Sequence, residues 1–303
     1  MLPLVYHTIY SQLDLPPEHR YPLSKYRRLY DHLSVAFHRN DVQRMAFFQP
    51  APLSIDTVKS VHHPDYVDAL VNNTLPAAKM RRIGFPWSEQ LIQRTLTSAG
   101  GTWRTVELAQ QYGLAIHLSG GYHHAHHDFG SGFCLFNDLA IAAKQALKLD
   151  NIDKVMIIDC DVHHGDGTAT LCAEHDNIIT FSVHCDKNFP ARKPNSTIDL
   201  ALPRQTTTKE YLSTFLPIVQ LAIAQHQPDL VIYDAGVDIH ADDELGYFDV
   251  CLDGLYQRDL FVLTLCQQHA IPVAAVIGGG YRSDHQQLVA LHSQLIKAAL
   301  TLV

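Results

Sequence analysis

The stretch KVMIIDCDVHHGDG, residues 154–167, joins an apolar run to a cluster of chemically active side chains. Lys154–Ile158 is short and rich in β-branched residues, which is typical of a buried strand, and the polar residues begin directly after it. Working outward from this stretch, the chain contains other runs of the same kind. We predict strands at Leu114–Leu118, Ile178–Val183, Leu230–Tyr233 and Val273–Ile277 as well.

Helical stretches separate these runs, at Leu139–Leu149, Lys209–His226 and Gly254–His269. The alternation predicts an α/β fold, a parallel sheet flanked by helices on both faces, and the unbroken apolar runs indicate strands buried on both sides. The chain has no internal repeat and no linker, so residues 1–303 are predicted to form a single domain. We expect the N-terminal third to be mostly helical and peripheral. A helix from residue 88 to 111 is expected to break at Gly100-Gly101.

Polar clusters follow four of the predicted strands directly. They are GGYHH (120–124), DCDVHHGDG (159–167), DAGVD (234–238) and GGGY (278–281). Ligands of open α/β sheets bind beyond the carboxyl ends of the strands. We therefore expect the four clusters to converge on one rim of the sheet.

Asp161, His163 and Asp238 have the composition of a catalytic metal site. Residues two apart at a strand end face the same side, so Asp161 and His163 can point together, and Asp238 adds a carboxylate from another strand end. Three protein ligands leave a coordination position open, as catalytic zinc requires. By itself, an Asp-x-His pair more often caps the N-terminus of a helix.

The pair His123-His124 follows a Gly-Gly turn and is interpreted as the acid–base machinery. A carboxylate partner fixes the tautomer of an imidazole and raises its pKa, and Asp159 and Asp166 are available for that role. By contrast, we interpret His126 and His127 as surface residues.

Aromatic residues supply the remaining candidates for the site. Tyr281 follows three glycines, and its phenol can donate a hydrogen bond to a developing oxyanion. Taken by itself, Tyr281 is more simply interpreted as a tyrosine of the core. Phe133 and Phe189 are candidate pocket walls, and for Phe189 a buried loop anchor is an equal alternative. Cys134 lies in no recognisable nucleophile motif.

Composition excludes several classes of partner. The formal net charge is −8, with 31 acidic and 23 basic residues, and nucleic-acid binding requires clustered Lys and Arg. The six cysteines form no CxxC pair, which favours reduced thiols over a disulfide framework. No apolar run reaches the ~18 residues of a transmembrane helix. We expect a cytoplasmic protein that binds neither nucleic acid nor membrane.

The motifs GGYHHA (120–125), SGFC (131–134), DCDVHHGDG (159–167) and GGGY (278–281) together resemble those of the histone deacetylase family. The resemblance runs in register from about residue 95 to the C-terminus and more weakly to the N-terminus. Within the family the chain is most similar to class IV and its bacterial relatives, through IGFPWS (83–88) and the segment from Asp234 to Gly246. The resemblance to the family implies the arginase/deacetylase fold and hydrolysis of the amide bond of N-acyl-lysine.

The resemblance also implies roles for individual residues. Asp161, His163 and Asp238 would hold one catalytic Zn²⁺, His124 would be the main base and acid, His123 would assist, and Tyr281 would polarise the carbonyl. Asp159 would pair with His123 and Asp166 with His124. Gly132, Phe133 and Phe189 would line the acyl-lysine channel. A structural K⁺ would be held partly by Asp159 and Ser182, and Fe²⁺ could replace Zn²⁺ in a site of mixed N/O ligands.

The sequence departs from the family at one rim position. Many members carry an Asp there that clamps the substrate backbone, whereas this chain reads GFPW at residues 84–87. We therefore expect little dependence on flanking peptide sequence and some hydrolysis of acyl groups longer than acetyl. Three alternatives stay open: a dimanganese ureohydrolase, which would need further bridging carboxylates; a non-catalytic acyl-lysine-binding module; and an enzyme for acetylated polyamines or other small acylated amines.

Overall fold

A computed structural model describes residues 1–37 and 44–303. Its centre is one eight-stranded parallel sheet with the strand order β2-β1-β3-β8-β7-β4-β5-β6. The strands are β1 (Leu2–Val5), β2 (Met45–Phe48), β3 (Leu114–His117), β4 (Val155–Asp159), β5 (Ile178–Cys185), β6 (Ile198–Leu202), β7 (Leu230–Asp234) and β8 (Val273–Val276).

Ten α-helices surround the sheet within the described residues. They are α1 (Lys25–Phe37), α2 (Ile55–Lys59), α3 (Pro64–Val71), α4 (Ala77–Ile83), α5 (Glu89–Tyr112), α6 (Asp138–Ala146), α7 (Asp166–Cys172), α8 (Thr208–His226), α9 (Leu252–Gln268) and α10 (His285–Leu300). Every residue of β1, β3, β4, β5, β7 and β8 is buried. Strands buried along their whole length have both faces covered, so the predicted α/β architecture is confirmed.

The five predicted strands all form, with small differences at their ends, but three strands were missed. Two of them, β1 and β2, lie in the N-terminal third, where we expected mostly peripheral helix. That expectation is wrong for β1, which is inserted between β2 and β3 and pairs in parallel with both. Its four residues are too few to show a periodicity, and only the pairing partners make the segment a strand.

The predicted break in the helix at Gly100-Gly101 is also absent. Helix α5 runs unbroken for 24 residues, from the Ser88 cap to Gly113. A Cβ added at Gly100 would lie 2.0 Å from the carbonyl oxygen of Ala51. The absence of a side chain therefore allows close packing of α5 rather than ending the helix.

Strand register decides which polar residues meet. Asp159 at the end of β4 pairs with Asp234 on β7 and with Ser182 on β5. The loops after β3, β4, β7 and β8 consequently leave the sheet at one rim, as the sequence predicted. No helix of residues 1–37 and 44–303 is long and apolar enough to cross a bilayer.

Candidate metal and catalytic site

Asp161, His163 and Asp238 converge at the predicted rim. One donor atom from each lies within 4.8 Å of the other two, and all three residues are buried. His163 presents Nδ1 to the carboxylates, 2.8 Å from Asp161 Oδ1 and 3.2 Å from Asp238 Oδ2. The backbone fixes the two carboxylates, because Gly279 N–H donates to Asp161 Oδ2 at 3.1 Å and Val162 N–H donates to Asp238 Oδ1 at 2.9 Å.

The chemistry of this donor set fits a divalent cation. Asp238 is fully buried, and its Oδ2 forms no hydrogen bond among the described residues, although His163 Nδ1 lies 3.2 Å away. Burial and the neighbouring Asp161 carboxylate raise the pKa of Asp238 to about 8. Two buried carboxylates facing one imidazole nitrogen form a donor set that could hold a cation, and two oxygens plus one nitrogen is a ligand set that zinc accepts.

Behind this cluster, the two histidines each contact a different carboxylate. His123 Nδ1 lies 2.8 Å from Asp159 Oδ2, and His124 Nδ1 lies 2.7 Å from Asp166 Oδ1. Burial opposes protonation of His123, but Asp159 and Asp161 outweigh it and raise its pKa well above the usual value. Burial, together with the charge of His123, lowers the pKa of His124 to about 3. The surroundings therefore favour a proton on His123 more than a second proton on His124, and the two Nε2 atoms lie 3.1 Å apart.

His126 is not the surface residue that we expected. Its side chain is 14% exposed, and its Nε2 lies 2.9 Å from Asp166 Oδ2. Asp166 therefore joins two imidazoles, and contact with both lowers its pKa despite burial. Nothing local in the sequence distinguishes His126 from His127, which is exposed as expected.

Tyr281 enters the same site from the loop after β8. Its backbone N–H donates to Asp243 Oδ2 at 2.7 Å, and its ring centroid lies 6.2 Å from that of His163. Burial raises the pKa of the phenol well above its usual value, so the hydroxyl keeps its proton. Within the described part of the chain no group hydrogen-bonds to that hydroxyl, which leaves it free to donate to a ligand.

These groups open into a cavity of about 1070 Å³. Gly132, Phe133 and Phe189 all line it, and the Phe189 ring stands edge-on to His124 with centroids 4.7 Å apart. Phe189 is 43% exposed, so it is a wall of the opening and not a buried anchor. The cavity reaches His124, His163 and Tyr281 at its inner end.

The residues predicted to share a K⁺ ion are neighbours but face different partners. Ser182 Oγ lies 3.0 Å from His184 Nδ1, whereas Asp159 Oδ1 accepts from the backbone N–H of Asp161 at 3.1 Å. The K⁺ site stays a prediction.

Sequence reasoning missed residues that shape the loops of the site. Asp138, the first residue of α6, accepts from the N–H groups of Gly121 and Tyr122 at 3.2 and 2.7 Å, and so fixes the turn before His123. Asp243 accepts from the backbone of Leu245, Gly246 and Tyr281. Such roles leave no local pattern, because their partners are distant in sequence.

A third missed residue is Asp234, at the end of β7. It is fully buried, and neither carboxylate oxygen has a hydrogen-bond partner among the described residues. A donor atom of Asp234 lies within 4.8 Å of donor atoms of His123 and Asp159. Burial and the charge of Asp159 raise the pKa of Asp234 well above its usual value, which keeps it protonated.

A sequence model of the histone deacetylase domain matches residues 19–296. The chain belongs to the histone deacetylase family. It is 43% identical to an uncharacterized protein of Picosynechococcus, across 98% of both chains. It is 29% identical to Histone deacetylase 2 of Arabidopsis thaliana, over 82% of this chain and 67% of that one. The acetoin utilization protein AcuC of Staphylococcus aureus is 28% identical, over 77% of this chain and 65% of its own length.

A solved structure agrees with the fold. The HDA15 HD domain superimposes with a TM-score of 0.81 over 99% of this chain and 88% of that one, at 21% identity. As a member of the histone deacetylase family the chain is a hydrolase of the deacetylase kind. Family membership argues against the dimanganese ureohydrolase that the sequence left open.

Proposed function

We propose that this histone deacetylase family member is a zinc-dependent amidohydrolase that cleaves the amide bond of N-acyl-lysine and releases a carboxylate and a free amine. The observation that carries the proposal is the meeting of Asp161, His163 and Asp238 within 4.8 Å beside the inner end of a cavity lined by His124 and Tyr281. A binding module would need neither an acid–base pair nor a free phenol there.

Zn²⁺ held by Asp161, His163 and Asp238 would supply Lewis acidity, which polarises a carbonyl and activates water. Asp166 holds Nδ1 of His124 at 2.7 Å, so Nε2 is the nitrogen left to accept the proton of the attacking water, in place of its contact with His123 Nε2. The Tyr281 hydroxyl donates to the oxygen on which negative charge develops. His123, held protonated by Asp159, stabilises that charge, and the proton on His124 passes to the leaving amine.

We extend the proposal to the domain organisation, the class and the location of the protein. All eight strands belong to one sheet, which supports a single deacetylase-like domain over residues 1–303. Its relation to class IV rests on the segments 83–88 and 234–246 alone. All six cysteines are free, as in proteins of a reducing compartment, and we propose a cytoplasmic location.

The test combines metal analysis with turnover. The purified protein should contain one zinc per chain and hydrolyse a fluorogenic acetyl-lysine peptide, and chelation should abolish hydrolysis until zinc is restored. Peptides with longer acyl groups should also react if the cavity accepts them, since each buried CH₂ contributes about 0.8 kcal/mol. A zinc-loaded protein that turns over no acyl-lysine would refute the proposal.

A further inference from the structure

The opening of the cavity carries an unexpected charge. The chain has a formal net charge of −8, yet three cations, Arg82, Arg192 and Lys193, line the cavity. Arg82 and Arg192 are exposed, so they lie at its opening. Asp166 is the one acidic residue in the described lining, and it is buried against His124 and His126. We call Arg82, Arg192 and Lys193 the cationic mouth.

Within the described residues none of the three side chains of the cationic mouth forms an ion pair with a carboxylate, although the charge of Asp186 is felt at Lys193. Arg82 lies over the ring of Phe129, 4.0 Å from its centroid. Lys193 Nζ donates to the backbone carbonyls of Asn188 and Pro190, at 2.8 and 2.7 Å. Arg192 forms no hydrogen bond or ion pair in residues 1–37 and 44–303. Arginine stays protonated at any working pH, so the opening keeps a positive potential.

We propose that the cationic mouth makes the enzyme selective for acyl-lysines flanked by acidic residues, and that it disfavours acylated polyamines. The inference rests on the proposed function, since it concerns what approaches that same site. It differs from the expectation of little dependence on flanking sequence, which follows from the missing rim carboxylate, and the same peptides distinguish the two. An acyl-lysine side chain is neutral, so the charges beside it decide whether the mouth attracts or repels the substrate.

The expected effect follows from long-range electrostatics. Neighbours of the acylated lysine stay outside the cavity in water, where a single charge pair contributes little. Several like charges acting together steer encounter, and the effect disappears as salt shortens the screening length from about 30 Å at 0.01 M to about 3 Å at 1 M. At low salt we expect kcat/KM to differ about tenfold between acidic and neutral flanks and again between neutral and basic flanks.

The experiment uses three peptides that share one acetyl-lysine and one fluorophore, with glutamate, glutamine or lysine on both sides, and an N-acetylated polyamine. We expect the order glutamate, glutamine, lysine at low salt, with the polyamine hydrolysed more slowly than the glutamine peptide. The differences should largely vanish near 1 M salt. Equal rates at low salt, or faster hydrolysis of the polyamine, would overturn the inference. Failure to hydrolyse any acyl-lysine peptide, the glutamine one included, would overturn the proposed function and this inference with it.

Variants of the cationic mouth test whether these residues cause the selectivity among the peptides. Arg192→Glu replaces an exposed side chain that has no hydrogen bond or ion pair among the described residues, and combining it with Arg82→Glu should invert the order of the peptides. Lys148→Glu is the matched control, because Lys148 is exposed and lies between the end of α6 and the start of β4, on the side of the sheet away from the cavity. The control makes the same charge change as Arg192→Glu alone, and it should preserve the order. Inversion by the control, or no change in the double variant, would contradict the assignment.

Discussion

Replacing Gly132 by alanine tests whether the position of the His124 imidazole determines activity. Gly132 has φ +52°, and a Cβ built on it lies 2.6 Å from Cδ2 of His124. An ordinary contact begins at 3.4 Å, so the ring has to move by about 0.8 Å. Displacements of about 1 Å at a reacting group can cost about 10²-fold in rate. We expect kcat/KM to fall by about that factor.

Backbone strain is a second effect of the same change, and a matched variant separates it. Gly113 has φ +80°, and a Cβ there meets nothing within 4 Å. It caps α5 just before β3, at the end of the sheet away from the site. Left-handed backbone costs a non-glycine residue about 1–2 kcal/mol, so both Gly132→Ala and Gly113→Ala should unfold more easily by roughly that amount. Only Gly132→Ala should lose activity.

The measurements are denaturant unfolding, zinc content and kcat/KM for both variants. Zinc should stay near one per chain in each, because none of the three atoms nearest the added Cβ belongs to Asp161, His163 or Asp238. The reasoning would be refuted if Gly132→Ala kept the wild-type kcat/KM while both variants were equally destabilised. In that case the imidazole beside Gly132 would not be the group on which turnover depends.

Three other expectations concern the metal, the phenol and the response to acid. Asp238→Ala should lose both zinc and activity, and elemental analysis that finds full zinc in this variant would disprove the ligand assignment. Tyr281→Phe should keep zinc and lose about 10²–10³ in rate; a wild-type rate would remove the phenol from the mechanism. Burial lowers the pKa of His62 from 6.5 to about 4, so the unfolded chain takes up its proton first as pH falls. The contribution of His62 to the free energy of unfolding is complete above pH 6.5 and decreases by about 3 kcal/mol towards pH 4. The free energy of unfolding of His62→Gln, measured with denaturant, should therefore depend less on pH than that of the wild type. Identical pH profiles would contradict this expectation.

The sequence by itself predicted the strands around the site and the loops that follow them. Val155–Asp159 and Leu230–Asp234 are recognisable because a strand buried on both faces is apolar throughout. The polar motifs come directly after those strands, so knowing the strand ends was enough to place Asp161, His163 and Asp238 on one rim. The pairing of Asp159 and Asp234 in register is the tertiary fact that makes this inference work.

Other features were decided only by tertiary structure. β1 is a strand because β2 and β3 lie on either side of it, and His126 is partly buried because Asp166 has a second oxygen to offer. The cationic mouth combines a residue of α4 with residues of the loop after β5, which lie about 110 residues apart in the sequence. Local sequence patterns indicate whether a side chain prefers water or the interior. These features depend instead on which distant residues form a hydrogen bond or bring their charges close together. The physical reason is that such partners are chosen when the sheet assembles, and no short window of sequence contains both of them.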